Sequence, residues 1–235
     1  LLVMLNTLSL ANDAASEEEM IFNADNASTF GEEPQPRRKL QLLTLGHDEG
    51  GAFAQLKIGS DVQQLRAGDT ILPCVVLTQI LDDSVLINNC GGYALLTPLL
   101  TSAGGTFALN IEQYDALNLA EPRIVDLRNN PAARKLIADY RQRLYRRPLS
   151  LRGAVDIEVR VDPLGERRYY LSPGKDQALF ETLALRAGDR VVAINGLSLA
   201  SSEALTDIYG VLANIEQLAL TLERGEQRVV LLLRF

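Results

Sequence analysis

The stretch Ala184-Leu-Arg-Ala-Gly-Asp-Arg-Val-Val-Ala-Ile-Asn-Gly-Leu-Ser-Leu199 decides the fold of the C-terminal part of the chain. Gly188-Asp189 turns the backbone, because glycine accepts a positive φ and the short aspartate side chain can cap nearby backbone groups. The run that follows, Arg190–Ile194, reads as a strand. Alternation places Val191, Ala193 and Asn195 on one face and Val192 and Ile194 on the other. Asn195-Gly196 then supplies the positive φ needed to leave the strand. The string Leu-Arg-Ala-Gly-Asp also occurs at residues 65–69. We read it as one turn used twice ahead of a strand, not as a repeated domain.

Working outward, Val155–Val161 and Arg168–Leu171 are strands flanking the turn Pro163-Leu-Gly165-Glu166. A short helix is expected over Gln177–Leu183 and a longer one over Ser201–Ile215. A hairpin pairs Gln217–Glu223 with Gln227–Arg234. Upstream, Leu40–Leu45, Ala52–Ile58, Val62–Leu65, Val75–Leu81, Ser84–Asn89 and Tyr93–Thr97 are apolar runs of strand length, separated by glycine- and aspartate-bearing turns such as Gly59-Ser60 and Asp82-Asp83. They predict a small antiparallel barrel or sandwich. Its expected core is Leu43, Leu45, Phe53, Leu56, Ile58, Leu65, Ile71, Val76, Leu81, Val85, Ile87 and Leu95. Between the two zones, Asn130 as N-cap and Pro131 at the first position start a helix. Leu136, Ile137, Tyr140 and Leu144 form its apolar stripe, and arginines occupy its other faces. That basic surface reads first as a solvated face, and second as a contact for an acidic partner or anionic lipid heads.

Cys74 and Cys90 are the two cysteines. A two-residue turn at Asp82-Asp83 places Cys74 opposite Gly91, one residue from Cys90, and a single bulge would bring the thiols into register. The sequence leaves a disulfide and two separate buried thiols both open.

The 235 residues carry 30 Asp and Glu against 23 Lys and Arg. Seven of the acids, and no base, lie between Asn12 and Pro36, so the rest of the chain is balanced. A basic nucleic-acid binder is excluded as the default, and 47% hydrophobic residues exclude a wholly disordered chain. The acidic tract, ending in Pro34-Gln-Pro36, reads as an extended linker. Leu1–Ala11 reads first as the remnant of a transmembrane helix, with a signal-peptide remnant or an N-terminus whose leucines pack on a domain or partner as the alternatives.

Together with the opening stretch, Tyr169-Tyr-Leu-Ser-Pro-Gly-Lys-Asp-Gln-Ala-Leu-Phe180 narrows the reading. The first string resembles the bacterial type of PDZ domain. The second resembles the C-terminal domain of the type II secretion system protein C family, inner-membrane components of the general secretion pathway. Leu40-Gln-Leu-Leu-Thr-Leu-Gly46, Leu65-Arg-Ala-Gly-Asp-Thr-Ile71 and Val85-Leu-Ile87 resemble that family's homology region, with Gly46-His-Asp-Glu-Gly-Gly51 interrupting the first strand. The resemblance implies a mainly β, α+β chain. Its parts would be a transmembrane remnant (1–11), an acidic linker (12–36), a homology-region β domain (37–100), a linker with a basic helix (101–152) and a PDZ domain (153–235).

The same resemblance implies a single-pass inner-membrane protein with its bulk in the periplasm. Its partners would be the periplasmic domain of the outer-membrane secretin, the inner-membrane platform proteins and secreted exoproteins, with the membrane held through the N-terminal helix and no nucleic acid. The secretin is expected at the first strand edge, Leu42, Leu43, Thr44 and Leu45. A PDZ groove is expected between Tyr169–Ser172 and the Ser201–Ile215 helix, using Tyr170, Leu171, Ser172, Leu205, Ile208 and Leu212. Pro173 removes an N–H where a carboxylate would need one, so recognition of something other than a free C-terminus is expected. A periplasmic PDZ adaptor regulating a protease or chaperone is the alternative. No enzyme, metal or cofactor is expected: His47 is the single histidine, and neither Gly-x-Ser-x-Gly nor His-Glu-x-x-His accompanies it.

Overall fold

Glycine turns and apolar alternation set out the first domain. The computed structural model describes residues 39–98, 107–108, 121–151, 153–163, 165–199 and 216–235. Strands β1 (Lys39–Asp48), β2 (Gly51–Ile58) and β3 (Asp61–Leu65) form a meander, and Gly59 opens its second turn at φ 63°. A second meander runs β4 (Thr70–Leu72), β5 (Val75–Ile80), β6 (Val85–Asn89) and β7 (Gly92–Leu96). A short strand β8 (Phe107–Ala108) joins β1, so the sheets are ordered β3-β2-β1-β8 and β4-β5-β6-β7. They enclose one core, which includes Leu40, Leu42, Leu56, Leu77, Ile87 and Leu96. The mainly β, α+β class expected from the sequence is the one observed.

Three details differ from the sequence reading. Gly46 does not break the first strand: it pairs with Phe53, whose ring lies over it, so close that a Cβ at Gly46 would sit 2.3 Å from Phe53 Cζ. The strand therefore runs on through His47 and Asp48. A bulge between Leu42 and Thr44 shifts the phase of β1, burying Leu40 and Leu42 fully and leaving Leu43 and Leu45 only partly covered. In β5 the buried residues are Val75 and Leu77 rather than Val76. These runs are apolar on both faces, so alternation alone does not choose the inner one.

The β5–β6 register contains a bulge between Leu77 and Gln79, after which Val75 faces Asn89. That offset brings Cys74 level with Cys90, and the two are joined in a disulfide with their Cα atoms 4.8 Å apart. Cys90 N–H also donates to Cys74 C=O at 3.1 Å.

The second domain is built on one sheet, ordered β10-β11-β12-β14-β15-β9. Its strands are β9 (Arg123–Asp126), β10 (Val155–Val161), β11 (Arg167–Pro173), β12 (Arg190–Ile194), β14 (Gln217–Arg224) and β15 (Gln227–Arg234), with a short β13 (Leu197–Ser198) beside β12. β9, absent from the sequence reading, pairs with β15 in parallel. Helix α1 (Pro131–Arg146) starts as expected, with Asn130 Oδ1 accepting from Ala133 N–H. It is not a linker helix, however. Ala133, Ile137 and Tyr140 enter the same core as Leu171, Leu179 and Leu231, and Tyr140 Oη donates at 2.6 Å to Asp176, the N-cap of α2 (Gln177–Thr182). Burial, and next the bond to Asp176, push the Tyr140 hydroxyl well above its usual range. Among the described residues, the domain's first element is therefore β9 at Arg123, well before 153.

The expected membrane remnant, the acidic linker and the Ser201–Ile215 helix, with Leu205, Ile208 and Leu212, lie outside the described residues. Among the described residues no helix is long and apolar enough to cross a membrane.

Because Ile137 packs in the core, Ile137→Ala should cost about 2–5 kcal/mol in denaturant unfolding of the C-terminal domain. A solvated helix would change by less than about 0.5 kcal/mol. Replacing both Cys74 and Cys90 by Ala should cost the β domain roughly 3 kcal/mol by the same measurement, given their sequence separation of 16.

Candidate functional site

Two strand edges stand out as places for a partner. Among the described residues, β10 is one outer strand of the second domain's sheet, opposite β9, and β3 is one outer strand of the β1–β3 sheet, opposite β8. An unpaired edge offers free backbone groups, and apolar side chains along it favour pairing with another strand. Here Val62 on β3 is 56% exposed, and Val159 and Val161 on β10 are 45% and 64% exposed. The opposite face of β10 carries charge, with Glu158 and Arg160 paired at 2.7 Å and the Arg160 guanidinium 4.2 Å from the centre of the Tyr170 ring.

The expected groove strand, Tyr169–Ser172, is not at an edge. It lies within β11, which pairs with β10 along its whole length and with β12 at Tyr169 and Tyr170. Leu171 is buried and exchanges backbone hydrogen bonds with Gly188 and Asp189 on the other side. Tyr170, Leu171 and Ser172 therefore cannot receive an added strand, and the edge falls one strand earlier, at Ile157, Val159 and Val161. The alternation Val-Asp-Ile-Glu-Val-Arg-Val marks these residues as a strand but not as the edge. In the β domain, Leu42 is buried and bridged to Pro98, so the stretch Leu42, Leu43, Thr44 and Leu45 is partly covered. Beyond Leu42, no strand pairs with that side of β1 among the described residues. Asp48, which ends β1, is gripped by Arg66 at 2.7 and 2.9 Å, and those hydrogen bonds hold its carboxyl below the usual range.

The repeated five-residue string makes one turn twice. Arg66 N–H donates to Asp69 Oδ2 at 2.7 Å, and Arg186 N–H donates to Asp189 Oδ2 at 2.8 Å. Gly68 and Gly188 hold φ of 96° and 86°. Each turn then hooks a leucine across the sheet, Leu77 in the first case and Leu171 in the second. The copies differ in burial. Asp69 is exposed, whereas the Asp189 side chain is 1% exposed and takes both arms of the Arg224 guanidinium at 2.7 Å.

β12 breaks the expected alternation. A bulge between Val191 and Ala193 lets Val191 and Ile194 both enter the core of their own domain, and Asn195, at φ 47°, faces the β domain instead. Asn195 Oδ1 accepts from Leu95 N–H at 2.8 Å. Nearby, Asp83 in the β5–β6 turn accepts from Arg128 at 2.9 Å, from Gln217 at 2.8 Å and from Arg234. Burial alone would raise the Asp83 carboxyl. The hydrogen bonds from Gln217 and Ser84 and the charges of Arg234 and Arg128 outweigh it and hold the group below its usual range.

No protein-family model matches the chain. Over 60 residues it is 38% identical to the type II secretion system protein C of Vibrio cholerae serotype O1 and 40% identical to that of Klebsiella pneumoniae, a match of 26% of this chain in each case. The chain is a relative of type II secretion system protein C. It spans about a fifth of the length of the curated relatives it matches. Among solved structures it is similar to the PDZ domain of EpsC from Vibrio cholerae, at 28% identity over 44% of this chain and 99% of that one, with a TM-score of 0.36. It is also similar to the PDZ domain of the pullulanase C protein from Klebsiella pneumoniae, solved in complex with a fatty acid, at 29% identity over 40% and 97%, with a TM-score of 0.34.

In this protein C relative, the buried turn of the PDZ domain should be far more sensitive than its exposed twin. Asp189→Ala strands the Arg224 charge and should cost about 3–5 kcal/mol, while Asp69→Ala should cost about 1 kcal/mol; denaturant titration distinguishes them. Asp83 has a lowered folded-state pKa, so its contribution is complete above the unfolded value of about 3.9. It is lost as pH falls through the lower folded value. The stability gap between wild type and Asp83→Asn should therefore be constant from neutral pH down to about 5 and close below about 4.

Proposed function

We propose that the chain is a non-enzymatic component of a type II secretion system. In this reading it is tethered to the inner membrane and its platform proteins, holding the periplasmic domain of the outer-membrane secretin through the β domain and secreted proteins through the PDZ domain. The observation that carries the reading is the β10 edge with Val159 and Val161 exposed, together with exposed Val62 on the otherwise polar β3 edge, on a relative of type II secretion system protein C. An open edge binds an extended segment through main-chain hydrogen bonds, and alternate side chains supply selectivity. Val159 and Val161 would meet apolar side chains of the exoprotein segment, with Glu158 and Arg160 flanking. On the β domain, β3 serves this role better than Leu42–Leu45, because Leu42 is already buried and bridged. Binding of this kind requires neither metal nor cofactor.

The test is titration of the purified chain with a secretin periplasmic N-terminal domain and, separately, with a secreted substrate. Val62→Asp should weaken the first by at least about 10-fold, and Val159→Asp the second by a similar factor, about 1.4 kcal/mol each. Absence of secretin binding, with protein secretion unchanged when the gene is deleted, would favour a PDZ adaptor for a protease or chaperone.

A further inference from the structure

We propose that the β domain and the PDZ domain are one permanent rigid body, closed around β7 and latched at Asp83, rather than two modules moving on a tether. Domains within one chain move relative to each other by default, unless their interface is large and apolar. Three features of this junction hold the two domains together.

The first is shape. Gly92 opens β7 directly against β12, and a Cβ there would lie 2.8 Å from Ala193 Cβ and 3.4 Å from Gly196 O. No larger residue fits without separating the domains. The second is polar satisfaction. β7 ends its own sheet, so its outward N–H groups need acceptors once they are covered. The PDZ domain supplies them as side chains. Tyr93 N–H donates to Thr221 Oγ1 at 2.8 Å and Leu95 N–H to Asn195 Oδ1 at 2.8 Å, while Asn89 Nδ2 donates to Gly196 O at 3.2 Å. The third is the apolar seam, in which Leu86, Tyr93 and Leu95 pack on Ala219, Val230 and Leu232, all of them buried.

At the rim, the Asp83 latch joins the β5–β6 turn to three points of the PDZ domain. Arg128 is 7% exposed and fully engaged: it binds Asp126 at 2.8 Å, Asp83 at 2.9 Å, Ser84 Oγ at 2.9 Å and Gln217 Oε1 at 3.1 Å. Moving the domains apart would break the guanidinium's bonds to Asp83 and Ser84, two of its four partners. The docked arrangement seals the β7 edge and leaves β3 and β10 on a single body, so strands added at these two edges would be held at a fixed separation.

The experiment is ¹⁵N relaxation and amide exchange on the full chain. In the wild type, amides of β1–β3 and of β10–β15 should report one shared rotational correlation time, and Tyr93 and Leu95 amides should be strongly protected. Ala193→Leu drives bulk into Gly92 from the PDZ side, and Asp83→Lys sets a third cation beside Arg128 and Arg234 from the β-domain side. Each should give two shorter correlation times and raise exchange at Tyr93 and Leu95 by at least about 100-fold, with amides of β2 and α1 still protected. Two correlation times in the wild type would overturn the proposal by themselves, whatever the variants do. So would a folded Ala193→Leu variant that keeps the β7 amides protected, or a doubled mass in light scattering, which would place the contact between two chains.

Discussion

A strand edge that is buried must still find acceptors for its N–H groups, and that requirement organises this molecule. β7 meets it with Asn195 and Thr221 of the neighbouring domain. To reach β7, Asn195 has to leave the alternation of β12, which the bulge after Val191 allows. For the backbones to come close enough, residue 92 has to be glycine. For Asn89 and Gly92 to arrive together, the β6–β7 turn has to be held, and the disulfide holds it from Cys90. A PDZ signature residue thus serves a contact outside its own domain.

Much of the local architecture was legible in the sequence. The turn strings, the α1 cap, the strand Arg190–Ile194 and the C-terminal hairpin have local causes, and they fold where those causes lie. The disulfide was legible as one of two alternatives, and the bulge at Thr78 decides between them. What escaped depends on tertiary context. Runs such as Val75–Leu77 are apolar on both sides, so alternation did not distinguish the buried Val75 and Leu77 from the half-buried Val76. Leu95 was assigned to the β-domain core and instead sits in the seam between domains. The four-residue β9 is too short to announce itself, and its partner β15 lies a hundred residues later.

The candidate edges show the same division. Val-Asp-Ile-Glu-Val-Arg-Val is visibly a strand, but its position at the rim follows only from the order of pairing, which puts Tyr169–Ser172 one place further in. The basic helix was read by its charge as a free surface. Its small apolar stripe, Ala133, Ile137 and Tyr140, outweighs the surrounding arginines because those long side chains keep their heads in water while the stripe is buried.

The parallel pairing of β9 with β15 sets an order of assembly. The strand that opens the PDZ domain can take its place only when the strand that closes it exists, since Arg123–Asp126 pairs with Val229–Leu232. Such a contact spans nearly the whole domain, and closing so long a loop is slow. Arg128 follows β9 directly, and Arg234, which also bonds Asp83, lies on β15 itself. A chain stopped short of β15 would therefore lose the latch together with the strand, so the two domains join only after the last strand of the PDZ sheet is in place.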